Sequence, residues 1–335
     1  MKAMEPAPRS WVDLFEAALR RAARAGAKGS RSKLGTVKRV EAARVRAAAD
    51  YVSEKLRKVA LSMPFLDSLH PFYRELVSTM VDEDKYRLCL SRLYSVSRIV
   101  RRIARESLTA IAASADAKGT AKARRAFMGR LRSILEDLDE CLKLVGAWQV
   151  EIAKLPSIDP YAPTIVIAGA PNVGKSSLLR AISRAKPEVR PYPFTTTNVI
   201  VGHLELAGQR VQAVDTPGLL DRPLSEKGLV ERRAVAALKH LKGVTVFIFD
   251  PTTTCGFPLD YQLAVYSSVK ELLGGNPLIP VANKVDATKS DQASELVKAL
   301  GAEARDLIFI SALYGVNIDY LLKRVEEVLS ASVSG

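Results

Sequence analysis

The sequence predicts two folds in one chain: an all-α helical bundle, then an α/β domain with a mostly parallel sheet and helices on both faces. Three observations predict this. The first half of the 335 residues repeats its apolar side chains at three- and four-residue steps and nowhere alternates as a strand would. The second half alternates short β-rich runs with helical stretches, as a parallel sheet with crossover helices requires. Between them, Leu155-Pro156-Ser157-Ile158-Asp159-Pro160-Tyr161-Ala162-Pro163 places three prolines within eight residues. That makes a stiff, extended connection that no helix can cross. The expected domains are therefore residues 1–157 and 158–335.

Taken in order, residues 36–63 read as an amphipathic helix through Val37, Val40, Val45, Val52, Leu56, Val59 and Met63. Pro64 and Pro71 bracket a break before a shorter helix near 72–82. A long helix over 84–115 carries Leu90, Leu93, Val96, Val100 and Ile103, and a third over 121–154 carries Leu131, Ile134, Leu138, Cys141, Leu142 and Val145. This is the pattern of a bundle. Beyond the prolines, strands are expected at 164–168, 199–206, 210–214, 244–249, 278–281 and 307–310.

Charge divides the chain unevenly. The net charge is +14; residues 1–158 hold 31 Lys and Arg against 18 Asp and Glu, while residues 159–335 hold 19 against 18. The basic excess lies almost wholly in the helical half, which points to a polyanionic partner there. Cys89, Cys141 and Cys255 show no metal-ligand spacing and read as packing thiols of a reducing compartment. The N-terminus lacks the apolar core of a signal peptide, and no run approaches the ~18 apolar residues of a membrane span. A cytoplasmic location without membrane partners is expected. Asn and Gln together number ten, a sparing use that suits a heat-adapted protein.

Gly169-Ala170-Pro171-Asn172-Val173-Gly174-Lys175-Ser176 fits the phosphate-loop pattern G-x-x-x-x-G-K-S, between an apolar strand and a helix that runs on through Ser177. Its glycines let backbone N–H groups converge on phosphates. Lys175 supplies charge to the β/γ-phosphates, and the Ser176 hydroxyl is expected to bind Mg²⁺. Asp215-Thr216-Pro217-Gly218 ends a strand, so Asp215 can reach the metal through water. The Gly218 N–H can bond the γ-phosphate, a contact that only the triphosphate offers.

Asn283-Lys284-Val285-Asp286 follows another strand. The Asp286 carboxylate can accept from the guanine N1–H and exocyclic amine, which adenine does not present, so it selects GTP over ATP. Ser311-Ala312-Leu313 follows the last strand, where the Ala312 N–H can meet guanine O6. Four motifs in this order specify a GTP/GDP site. A threonine from Thr195-Thr196-Thr197 is expected to close over Mg²⁺ and the γ-phosphate, with Thr196 favoured and Thr195 as second candidate.

These motifs resemble the P-loop GTPases, and Tyr192-Pro193-Phe194-Thr195-Thr196 with Asp215-Thr216-Pro217-Gly218 is similar to their Obg-like, translation-factor-related branch. Three further stretches resemble the nucleolar GTP-binding protein family: Asn198-Val199-Ile200-Val201-Gly202-His203, Pro217-Gly218-Leu219-Leu220-Asp221-Arg222-Pro223, and the run from Asp250 to Leu259 containing Cys255-Gly256-Phe257. The resemblance implies an α/β P-loop GTPase domain preceded by an all-α helical-bundle domain. It also implies a role in assembling the large ribosomal subunit, with its precursor, rRNA, ribosomal proteins or other assembly factors as partners. Ending at Gly335, the sequence resembles the shorter, archaeal form of that family. Leu219 occupies the position where many GTPases place a water-orienting glutamine, so slow intrinsic hydrolysis is expected, speeded by the ribosomal particle or by K⁺. Similar enzymes with an asparagine at the position of Asn172 recruit K⁺; Asn172 as a loop-stabilising amide is the alternative. Arg222 beside the switch reads as a surface ion pair sooner than a cationic finger, and His203 and Trp148 as structural.

In the helical half, Arg20 to Arg46 contains ten basic residues and one acid, Glu41. Within it, Gly26–Lys33 reads as a basic loop that orders on a partner. Arg98, Arg101, Arg102 and Arg105 fall at i, i+3, i+4 and i+7, hence on one helix face, with Arg87 about 20° away. Arg31, Lys33, Lys38, Arg39, Arg98, Arg101, Arg102 and Arg105 are the candidate RNA contacts. Few aromatic residues are present to stack bases, which favours folded RNA read by its backbone. Two other classes remain open, a GTPase linked to RNA modification and a signalling switch whose helical domain binds proteins.

Overall fold

The structure is a computed structural model that describes residues 3–28, 32–183, 186–192, 198–274 and 276–333. They gather into two compact units. One combines Met1–Ser68 with Met80–Ala153; the other combines Leu69–Thr79 with Lys154–Gly335. The α/β unit thus draws on an eleven-residue stretch from inside the helical half as well as on everything after the prolines.

The first unit is built from α1 (Trp11–Arg24), α2 (Lys33–Ser62), α4 (Glu83–Ala113), α5 (Ala117–Glu136) and α6 (Asp139–Ile152), with α3 (Pro71–Met80) intervening in the chain. Four of these helices start on a side chain that satisfies a free N–H: Ser10, Ser32, Asp82 and Asp116 accept from Asp13, Gly35, Lys85 and Gly119. Val45, Val52, Leu56, Leu93, Val100, Ile103, Leu131, Leu142 and Val145 fill the core, each fully or nearly fully buried.

The single helix expected over 121–154 is two helices. Glu136-Asp137-Leu138-Asp139-Glu140 is the reason: acidic residues oppose the negative carboxyl end of α5 and favour the amino end of a new helix. The Asp139 carboxylate also accepts the Trp11 N–H at 2.8 Å, tying the start of α1 to the start of α6. Cys89 and Cys141, expected as separate thiols, are a disulfide between α4 and α6, 52 residues apart in sequence. The fold brings their Cα atoms to 5.1 Å, a separation that a disulfide spans. Cys255 is free and buried.

In the second unit a seven-stranded sheet runs β2-β3-β4-β1-β5-β6-β7. Its strands are β1 (Thr164–Ala168), β2 (Glu188–Pro191), β3 (Asn198–Leu206), β4 (Gln209–Asp215), β5 (Gly243–Phe249), β6 (Leu278–Ala282) and β7 (Ile308–Phe309). Neighbours from β4 to β7 pair in parallel, and β3 pairs antiparallel with both β2 and β4. β1 is buried along its whole length, as a central parallel strand covered on both faces should be.

Alternate residues of the strands feed two cores. Ile165, Ile167, Val244, Val246, Ile248, Ile279 and Val281 meet α7 (Lys175–Ile182) and α11 (Ile318–Val333). Val166, Val199, Val201, Val214, Phe247 and Phe249 meet α8 (Leu229–Ala236), α9 (Leu259–Leu272) and α10 (Ser290–Leu300). Phe72 and Leu76 of α3 belong to this second core and are wholly buried in it. The Tyr73 hydroxyl of the same helix lies within hydrogen-bond reach of the carbonyls of Pro156 (2.9 Å) and Ile158 (2.6 Å).

Candidate functional site

The carboxyl ends of β1, β4, β5 and β6 open on one edge of the sheet, where open α/β folds hold their ligands. The loop after β1 is shaped by its glycines. Gly169 has φ +143°, and a Cβ there would stand 2.5 Å from the Ile248 carbonyl oxygen. Gly174 has φ +105°, and a Cβ there would stand 2.2 Å from Asn283 Nδ2. Neither position admits a side chain. Lys175 then opens α7, buried, with Nζ donating to the carbonyls of Gly169 and Ala170, both at 2.8 Å. Burial pushes its pKa down, against the opposing fields of Asp215 and Asp221. Ser177 follows, half-buried on α7.

Ser176 Oγ donates to Asp215 Oδ2 at 2.7 Å, while Asp215 Oδ1 is buried with no hydrogen-bond partner among the described residues. Burial lifts the Asp215 carboxyl above its ordinary value, against the pull of Ser176 and Lys175. An orphaned anionic oxygen beside a hydroxyl fits Mg²⁺, which takes one or two protein oxygens and completes its shell with phosphates and water. Among the described residues no three His, Cys, Asp or Glu side chains converge as an all-protein metal cage.

After β4, the Thr216 hydroxyl donates to the Ile167 carbonyl at 3.0 Å. Gly218 has φ +74° and donates its N–H to Asp221 Oδ2 at 2.7 Å. Leu219 is fully buried in the core and does not face the site. Arg222 pairs with Glu231 at 3.1 Å, the surface ion pair expected for it.

Asn283 braces two loops: Nδ2 donates to the Val173 carbonyl at 2.8 Å, and Oδ1 accepts the Ala312 N–H at 2.9 Å. The Ala312 N–H, expected to be open to a guanine oxygen, is thus committed to a side chain that the sequence order does not place against it. Lys284 has φ +62° and donates to Asp250 Oδ2 at 2.7 Å and Thr254 Oγ1 at 2.9 Å. Asp286 is exposed and has no partner among the described residues. Ser311 is buried with Oγ accepting the Tyr314 N–H at 3.3 Å, and Leu313 is exposed. Asn172, at φ +60°, directs Nδ2 toward the Cys255 carbonyl at 3.5 Å. Thr195 and Thr196 lie outside the described residues.

Asp250 was not among the expected site residues. It follows β5 and accepts from Lys284, from Thr252 N–H and Oγ1, from Thr254 Oγ1 and from Cys255 N–H. Burial pushes its carboxyl up, but Lys284 and these donors together hold it below its ordinary value. The available signal was its place at the carboxyl end of a strand beside the other loops.

Of the expected RNA contacts, Arg98, Arg102 and Arg105 are exposed without an acidic partner among the described residues, and Lys33 is exposed. Arg101 instead turns to Ser53, donating from Nε at 3.2 Å, and Arg87 is spent on Asp67 and Glu83. Lys38 donates to the Ala112 carbonyl at 2.7 Å and lines a groove with Lys28, Arg39 and Arg46. Arg31 lies outside the described residues.

Residues 3–159 match the family model for the NOG1 N-terminal helical domain, and residues 164–284 match that of the 50S ribosome-binding GTPase. The chain is 34% identical to nucleolar GTP-binding protein 1 of Drosophila melanogaster over 74% of its length, and 32% identical to that of Arabidopsis thaliana over 80%. It spans about two fifths of the length of those relatives, 38% and 40%. A crystal structure from Plasmodium falciparum, assigned as nucleolar GTP-binding protein 1, is 32% identical with a TM-score of 0.47, covering 54% of this chain and 92% of that one. The relatives' nucleolar naming overturns the expected cytoplasmic location. Among the described residues no helix is long and apolar enough to cross a membrane. With its helical half and its P-loop GTPase domain both matched, in that order, the chain belongs to the nucleolar GTP-binding protein 1 family.

Proposed function

We propose that this protein is a GTP-hydrolysing switch that assists assembly of the large ribosomal subunit and docks on rRNA through its basic helical unit. The observation that carries the reading is the pairing of a guanine-nucleotide site with a helical half of 31 basic against 18 acidic residues. Arg98, Arg102 and Arg105 stand exposed there, without an acidic partner among the described residues.

On this reading Lys175 exchanges the carbonyls of Gly169 and Ala170 for the β/γ-phosphates, and the N–H groups of the phosphate loop from Asn172 to Ser177 cradle them. Ser176 and, through water, Asp215 hold Mg²⁺, which neutralises charge on the phosphates, with Thr196 as the further ligand. Gly218 offers its N–H to the γ-phosphate. Asp286 takes the guanine edge, while Asn283, Lys284, Ser311, Ala312 and Leu313 frame the base. Leu219 is buried and cannot orient water, so intrinsic turnover is slow.

Asn172 Oδ1 has no partner among the described residues and fits a K⁺ ligand in place of the missing glutamine's help. Turnover measured in matched K⁺ and Na⁺ buffers is expected to be faster in K⁺ by about tenfold or more, a barrier change of about 1.4 kcal/mol. Equal rates would leave Asn172 as a brace toward the Cys255 carbonyl.

Docking is tested by co-sedimentation with large-subunit particles at rising salt, in GDP, in a non-hydrolysable GTP analogue and without nucleotide. If four phosphates are neutralised, binding should weaken about tenfold for each doubling of salt and strengthen with the analogue. No binding in any state, with GDP still held, would refute the ribosomal reading and leave a GTPase alone. An RNA-modifying role is disfavoured because Cys89 and Cys141 are joined and Cys255 is buried, so no thiol is free to react.

A further inference from the structure

Asp221 is a buried carboxylate that the nucleotide chemistry above leaves without a task. It is 8% exposed, its Oδ2 accepts the Gly218 N–H at 2.7 Å, and its Oδ1 is buried with no hydrogen-bond partner among the described residues. Arg222 reaches it only at 4.0 Å and is committed to Glu231. The Gly218 carbonyl in turn faces Lys227 Nζ at 3.5 Å, and Lys227 is buried and also pairs with Glu231 at 3.3 Å. Both polar groups of Gly218 are thus held by side chains from its own loop.

A carboxylate oxygen accepting the Gly218 N–H at 2.7 Å offers that amide what a terminal phosphate oxygen would offer. We propose that Asp221 is an internal surrogate for the γ-phosphate, competing for the Gly218 N–H and so setting how strongly the protein prefers GDP to GTP. This rests on the reading of Gly218 as the γ-phosphate donor. With GDP the contact persists, because nothing else claims the amide. With GTP one donor faces two anionic acceptors that repel each other, and Asp221 must leave before the triphosphate gains its hydrogen bond. The apparent affinity for GTP is then the intrinsic affinity multiplied by the fraction of molecules in which Asp221 has let go, whereas that for GDP is untouched.

The test is equilibrium titration of the full chain with fluorescent GDP and a fluorescent non-hydrolysable GTP analogue, in Asp221→Ala, Asp221→Asn and Gly218→Ala. Asp221→Asn keeps the volume and an acceptor oxygen but removes the charge, so it reports even if the alanine variant folds poorly. The ratio of analogue Kd to GDP Kd is expected to fall about tenfold in Asp221→Ala, equivalent to about 1.4 kcal/mol, and less in Asp221→Asn, with GDP affinity within about twofold. Gly218→Ala, strained at φ +74°, should move the ratio the opposite way. A ratio unmoved in both Asp221 variants, or equal weakening of both nucleotides with a lowered Tm, would show a turn brace and overturn the surrogate. If the Asp221 ratios stay fixed while Gly218→Ala loses the analogue, the switch reading stands and the surrogate alone falls. If Gly218→Ala also leaves the ratio fixed, both fall.

Discussion

Asp286→Asn is expected to weaken GDP and GTP binding by about 3–6 kcal/mol, roughly a hundred- to ten-thousandfold, with xanthine nucleotides gaining over guanine nucleotides. The carboxylate accepts two guanine donors, and each hydrogen bond to a charged group contributes about 1.5–3 kcal/mol. An asparagine turns a donating amide toward the same edge, where xanthine carries a carbonyl in place of the guanine amine. Asp286 is exposed and unpartnered among the described residues. Its replacement should therefore change stability by no more than about 0.5 kcal/mol, so lost binding cannot be confused with lost fold. Competition between GDP and XDP on wild type and variant is the measurement. GDP affinity surviving within a few-fold would remove Asp286 from the base pocket.

The second large effect falls on a residue far from every nucleotide motif. Phe72→Ala is expected to destabilise the α/β unit by about 3–5 kcal/mol, because Phe72 is wholly buried in the core under that unit's sheet. The transition that GDP raises in a thermal scan should drop by about 6–20 °C. The transition that does not respond to GDP should stay in place. The reverse pattern would assign α3 to the helical unit. Leu155, packed at the rim of the same core, should show a smaller effect in the same transition.

The sheet was legible where burial is complete. β1, β5 and β6 are near-continuous apolar runs, and the loops after β1, β4 and β6 carry residue types that backbone geometry demands, Gly169 and Gly174 above all. β2 was not legible. Four residues containing two charged side chains and a proline make an edge strand that periodicity does not mark. α1 escaped because alanines, Ala18 and Ala22, are two of its three buried residues and read as neutral. The helix over 121–154 was overextended because apolar spacing continues across Asp137, while the charge that splits it acts on helix ends and not on period. The pairing of Cys89 with Cys141 depends on how α4 and α6 align, which sequence spacing does not encode.

Within the site, residues whose chemistry faces the ligand were legible and residues that hold them were not. Lys175, Ser176, Asp215 and Asp286 have types that only phosphate, metal or base would ask for. Asp250 and Asp221 act on Lys284 and Gly218 through turns whose shape appears only in three dimensions. The same limit explains Ala312, whose amide the sequence order left open and the fold gave to Asn283.

The place of α3 in the chain has a consequence for synthesis. Residues 69–79 leave the ribosome before any strand of the sheet exists, and β7 follows about 230 residues later. At roughly 5–20 residues per second, Phe72 and Leu76 wait on the order of ten to fifty seconds for the surface that buries them. The helical unit must close its own core around this gap, joining α2 to α4 across a segment that is not yet placed. A nascent chain therefore carries a short apolar helix in search of a sheet, a natural hold for a chaperone until the last strand is made.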